Sequence, residues 1–277
     1  MKVLISTDIE GVAGVFHPEQ TRAGNGEYED ARRWMTLEAN AAIEGAFAGG
    51  ATQVWVNDSH GSFHNLLPDL LDARAQVVLG KPRMLGMMAG LETGPALVFM
   101  IGYHAMSQSR GILAHTMNSF AFASVRLNGV LVGEAGLYGA LAQEYGASVA
   151  LLSGDDAFVE ETRPTFPDAT FVITKIASGH ASGATQTPAS ARAEIGRAAQ
   201  AVVALHVAGA EISDLPRVRS SHFKCELRVQ SPALADLFGQ WPTLTRTDGV
   251  SLCFDAPSVE HVVRTLNCLS AMSFMLR

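Results

Sequence analysis

Short, mainly apolar runs alternate with longer segments of helical period along the first two thirds of the chain. Residues 3–7, 54–56, 96–101, 149–152 and 171–176 lack the strict alternation of half-exposed strands and read as strands buried on both faces. Between them, residues 28–48 predict a helix, with Trp34, Leu37, Ala41, Ile43, Ala46 and Phe47 in one broad apolar stripe and Gly49-Gly50 as its stop. Residues 76–79 predict a short strand, followed by a Met-rich helix through Met84, Met87, Met88 and Leu91. Further helices are expected over 135–145, near 156–163, and over 189–208, where Pro188 supplies the start. Asn128-Gly129, between apolar arms at 122–127 and 130–132, is a strong hairpin signal.

Strand-helix alternation of this kind predicts an α/β fold: a mostly parallel central sheet flanked by helices, with an inserted hairpin. The small-residue stretch 178–188 reads as a loop and a boundary, giving a domain over 1–186 and a smaller α+β unit over 187–277. In that unit the pattern predicts strands at 223–229, 243–247 and 250–254 and helices at 233–238 and 258–275.

The strand ends carry the chemistry. Asp8 and Glu10 follow the first run, His60 the second, and His104 the third, and Glu134 follows the second hairpin arm. A parallel sheet opens the carboxyl ends of its strands along one edge, so these residues can meet there although they are far apart in sequence. Three carboxylates and two imidazoles at one point call for a compensating charge, which one or two divalent metals supply. Asp8 and Glu10, two apart, are expected on one side of an extended chain, with Gly11 letting the backbone turn away.

Other candidates keep two readings. Asp58 orients His60 or caps a helix. His115 is an ordinary loop histidine or, beside a metal site, a proton carrier or substrate clamp. Glu134 is a metal ligand, a helix-dipole partner, or both. Lys175 neutralises an anion or polarises a carbonyl, or is an exposed strand-end lysine. His64, four residues after His60 with no Glu following the first His, is expected on the surface.

Composition narrows the classes. A net charge of −7 with no basic run argues against nucleic acid. The 277 residues contain no apolar stretch of membrane-spanning length and no signal-like start, so no membrane is expected and a cytoplasmic location is. Three cysteines without CxxC spacing exclude a disulfide framework and a cysteine zinc site. No GxSxG, P-loop, GxGxxG or HExxH motif is present.

Taken in order, SxDxEG at 6–11, NDSHG at 57–61, GYH at 102–104, the isolated His115 and GE at 133–134 resemble the zinc-dependent D-aminopeptidase family of bacterial dipeptide-transport operons. The resemblance runs over essentially the whole chain. It implies two Zn²⁺ per subunit, Asp8 bridging them and Glu10, His60, His104 and Glu134 completing the shells, with His115 catalytic. Mn²⁺ or Co²⁺ suits the same donors. It further implies removal of N-terminal D-residues, notably D-Ala, from short peptides through a metal-bridging hydroxide, in a homodecamer. One departure stands next to the catalytic histidine, where this chain has Ala114 in place of serine. The alternative is another dinuclear metallohydrolase, such as an amino-acid amidase.

Overall fold

Val3, Leu4 and Ile5 are wholly buried because the first strand runs through the middle of a sheet covered on both faces. The computed structural model describes residues 1–210 and 222–277. Its first half unfolds in chain order as β1 (Lys2–Thr7), α1 (Tyr28–Ala48), β2 (Gln53–Asp58), β3 (Gln76–Val78), β4 (Leu97–Ile101), β5 (Phe122–Leu127), β6 (Val130–Val132) and α2 (Glu134–Glu144). The second half continues with β7 (Ser148–Asp155), α3 (Asp156–Thr162), β8 (Thr170–Gly179), β9 (Ser182–Thr185), α4 (Pro188–Val207), β10 (Phe223–Val229), α5 (Pro232–Phe238), β11 (Thr245–Arg246), β12 (Ser251–Ala256) and α6 (Val259–Met272).

Seven strands form the main sheet in the order β3-β2-β1-β4-β7-β8-β9, parallel except at the β8–β9 edge. The α/β architecture is the one expected. A second, antiparallel sheet has the order β11-β12-β10-β5-β6. The Asn128-Gly129 hairpin therefore belongs to this second sheet, pairing with β10 rather than entering the parallel one. The expected 186/187 division falls between β9 and α4, and α4 packs along α1 on the first sheet. The two helices approach closely because Gly45 faces the carbonyl of Gly196, where a Cβ would sit 2.3 Å from its oxygen. Among the described residues no helix is long and apolar enough to cross a membrane.

Two local expectations are corrected. The Met-rich segment is two 3-10 turns, Gly86–Met88 and Leu91–Thr93, rather than a helix. Gly86, Gly90 and Gly94 all take positive φ, which breaks the helical path three times. The stretch 178–188 is an edge hairpin, with β8 running on to Gly179 and turning into β9. At the far end, α6 stops at Met272 and a 3-10 turn, Ser273–Leu276, finishes the chain.

Candidate metal centre

Strand register does most of the positioning. Thr7 pairs with Asp58 of β2 on one side and Ile101 of β4 on the other, so the next residues of all three strands leave the sheet side by side. Asp8 N–H donates to the Ile101 carbonyl, and Gly11 N–H to that of Gly102. Gly11 is needed for this approach and not for a special dihedral: a Cβ there would lie 1.8 Å from the Tyr103 carbonyl oxygen. Gly102 is constrained twice, by φ of 72° and by a Cβ position 2.3 Å from the Asp8 carbonyl oxygen. The chain over 8–10 is bent rather than extended, yet both carboxylates face the same imidazole.

The six expected site residues come together. His60 Nδ1 lies 3.1 Å from Asp8 Oδ1 and 3.0 Å from Glu10 Oε2. His104 Nε2 lies 3.5 Å from Asp8 Oδ2 and 3.4 Å from Glu134 Oε1. His115 Nε2 is 3.8 Å from the same Glu134 oxygen, and its ring stacks on His104 with centroids 4.1 Å apart. Potential ligand atoms form two groups, Asp8/Glu10/His104 and His104/His115/Glu134, within each of which all atoms lie within 4.8 Å of one another.

Each imidazole is tethered through its other nitrogen. His60 Nε2 contacts the Thr21 carbonyl at 2.8 Å, His104 Nδ1 that of Ala105 at 2.9 Å, and His115 Nδ1 that of Leu113 at 2.9 Å. A carbonyl only accepts, so each tethering nitrogen carries the proton and the nitrogen facing the carboxylates presents a lone pair in the neutral ring. This is how metal-binding histidines are held. Glu10 Oε2 and His104 Nε2 are buried without a hydrogen-bond partner, the close approach of His60 to Glu10 being misaligned. Buried polar atoms are seldom left unpaired. A hard–borderline O/N donor set, with its orphaned atoms aimed at one point, fits Zn²⁺ or a similar divalent ion.

Without a cation, the charges lean on one another. Burial alone would push the His60 and His104 imidazoles down, but Glu10 and Asp8 hold His60, and Glu134 and Asp8 hold His104, well above the ordinary histidine value. Burial and the neighbouring Glu10 charge push the Asp8 carboxyl up. Burial opposes ionisation of Glu10 and Glu134 as well, yet His60 and His104 respectively bring them below the usual carboxylate range.

Several side chains have roles other than those anticipated. Asp58 neither touches the imidazole nor caps a helix: it accepts the N–H groups of His60, Asn65 and Leu66 and the Asn65 side-chain amide, and so fixes the loop that presents His60. Lys175 is buried and points away from the cleft, its Nζ donating to the carbonyls of Glu10 and Val15. It braces the Glu10 loop, and burial pushes its pKa down to about 8. Glu134 accepts from Met117 N–H at 2.6 Å, which ties the His115 loop to α2. His64 is exposed, as expected.

The cluster floors a cavity of about 490 Å³. Its walls come from segments that carry no chemical signature in sequence: Phe63, Lys81 and Arg83 on one side, Tyr138 on another, and Asn267 and Phe274 from the C-terminal end. Asn118, on the loop that carries His115, donates to the Ser270 and Ser273 hydroxyls and anchors that end.

A solved structure, the Zn-dependent D-aminopeptidase DppA from Bacillus subtilis, described as a self-compartmentalizing protease, superposes with a TM-score of 0.91 at 25% identity, covering 99% of this chain and 98% of that one. The D-aminopeptidase of Bacillus subtilis (strain 168) is 34% identical over 175 residues, 63% of this chain and 64%, just under two thirds, of that protein. The sequence model of the D-aminopeptidase family, Peptidase M55, matches residues 1–268, and the chain belongs to that family.

Proposed function

We propose that this protein is a zinc-dependent aminopeptidase that removes N-terminal D-residues of the D-Ala type from short peptides. The observation carrying the reading is the set of three tethered imidazoles whose free nitrogens converge on Asp8, Glu10 and Glu134, with two buried ligand atoms unpartnered. Asp8, Glu10, His60, His104 and Glu134 would hold two zinc ions. Zinc there supplies an activated water and a Lewis acid toward the scissile carbonyl. His115 lies at the cavity wall with its Nδ1–H fixed on Leu113, so Nε2 can accept a proton, and the imidazolium so formed would donate it to a developing oxyanion or pass it to the leaving amine. Family membership and the likeness to DppA, a self-compartmentalizing protease, support the D-peptide class and a homo-oligomer that encloses its sites; the proposed assembly is a decamer with the 187–277 unit in its contacts, acting in the cytoplasm.

The test is hydrolysis of D-Ala-D-Ala against L-Ala-L-Ala, with a simple amino-acid amide as a third substrate, before chelation, after it and after zinc restoration. Zinc-restored cleavage of the D-peptide alone supports the reading. Cleavage only of the amide or of the L-peptide moves the substrate class elsewhere.

A further inference from the structure

Lys81 and Arg83 stand side by side on one wall of the cavity, flanking Phe63. The Arg83 guanidinium carbon lies 3.9 Å from the Phe63 ring centroid and the Lys81 ammonium 5.6 Å from it. Among the described residues no carboxylate lies within 4 Å of either cation, whereas the acids and imidazoles of the metal-type cluster lie within that distance of one another. Arg83 is committed to structure: Nη1 donates to the Asn57 side-chain oxygen and Nη2 to the Asp58 carbonyl, under the loop that presents His60. Lys81 is not. Its accessible Nζ makes one hydrogen bond, to the Gly61 carbonyl at 2.9 Å, and an ammonium has three protons to donate.

That single bond also fixes where the cation stands. Gly61 follows His60 directly, so the ammonium is held one residue from the metal-type cluster, and the Phe63 backbone beneath it is held at a φ of 62°. Such left-handed conformations in bulky residues persist where the surroundings impose them, and they concentrate at binding sites. Arg83 has the Asp58 charge nearby, but burial and the neighbouring Arg83 charge disfavour the Lys81 ammonium, and an incoming anion relieves that repulsion. A fully extended dipeptide spans about 7 Å. Lys81 and the cluster line the same cavity, and the carbonyl that holds the ammonium belongs to the residue after His60.

We propose that Lys81, with Arg83 behind it, is the recognition site for the free C-terminal carboxylate of the substrate, which selects dipeptides and similarly short peptides over longer or C-terminally blocked ones. This rests on the aminopeptidase reading above. A charge-assisted hydrogen bond lost from such a site costs about tenfold or more in affinity.

The experiment compares zinc-loaded wild type, Lys81→Gln and Lys81→Arg on D-Ala-D-Ala and on the same peptide with a C-terminal carboxamide, following release of D-Ala. It also measures calorimetric binding of the uncleavable reduced-amide isosteres of both peptides to the same proteins. Wild type is expected to favour the free acid by about tenfold or more, expressed in KM rather than kcat. Lys81→Gln loses that preference while leaving the carboxamide unchanged, and Lys81→Arg retains it. Equal handling of acid and carboxamide by wild type, or equal losses on both in a Lys81→Gln protein with unaltered thermal unfolding, overturns the proposal. If no peptide is cleaved but the acid isostere still binds with a Lys81-dependent preference, the carboxylate site stands and the peptidase reading falls.

Discussion

Replacing Gly11 by alanine would strike the point where the Asp8–Glu10 bend presses against the strand that delivers His104. The added Cβ would lie 1.8 Å from the Tyr103 carbonyl oxygen and 2.5 Å from the Gly102 carbonyl carbon, so the backbones must part by about 1.6 Å to reach an ordinary 3.4 Å contact. Both obstacles are backbone, and no side-chain rotation relieves them. The separations at stake in the site are 3.5 Å between Asp8 and His104 and 2.7 Å in the Gly11–Gly102 hydrogen bond, so a shift of this size breaks both. Overpacking of a rigid interior costs about 1–3 kcal/mol. For a chain of this size that lowers Tm by roughly 2–4 °C per kcal/mol. The diagnostic readout is zinc per subunit by elemental analysis, which should fall well below wild type. Gly61→Ala serves as control: its φ is +50° but nothing lies within 4 Å of the new Cβ. It should cost only about 1–2 kcal/mol of backbone strain and leave zinc content intact. Wild-type zinc binding by Gly11→Ala would refute the idea that this contact sets the ligand geometry.

Other perturbations separate ligand from catalytic roles. His60→Ala and His104→Ala should lose zinc together with activity, whereas His115→Ala should keep its metal content and lose most turnover; metal loss in the His115 variant would reassign it as a ligand. Asp58→Ala strips four N–H groups of their acceptor, an expected loss of about 3 kcal/mol or more measured by denaturant unfolding; a cost under about 1 kcal/mol would show that water replaces the carboxylate there. Chelation should show a specific pH signature. His60 and His104 of the metal-free protein bind protons more tightly folded than unfolded, so this stabilisation is complete below the ordinary value of 6.5 and disappears as pH rises through the elevated folded values. The Tm gap between zinc-loaded and chelated protein should therefore widen above pH 6.5, and a constant or narrowing gap contradicts it.

The convergence of these side chains was legible because Asp8, His60 and His104 each follow a strand that has little choice but burial, and parallel strands put their ends together. The use of Asp58 and Lys175 was not legible, since both act through main-chain groups that any residue could offer. The edge hairpin escaped because β9 is exposed along its whole length, so no buried face imposed an apolar pattern on it. The Met-rich turns misled in the opposite sense. Met87, Met88 and Leu91 are buried as core residues should be, but glycines decide the backbone path. Pairing of the 122–132 hairpin with β10, almost a hundred residues later, leaves no local trace at all.

The order of the site along the chain matters during synthesis. All six metal-type and catalytic candidates lie between residues 8 and 134, and the strands that align Asp8, His60 and His104 are complete by residue 101. Asn267 and Phe274 of the cavity wall leave the ribosome long after residue 134, and β10 and β12, which complete the second sheet, emerge only shortly before them. A nascent chain therefore exposes its carboxylates and imidazoles to free metal well before the cleft around them has its far wall. Loading can precede enclosure, and the tail then shuts the site around an ion already in place.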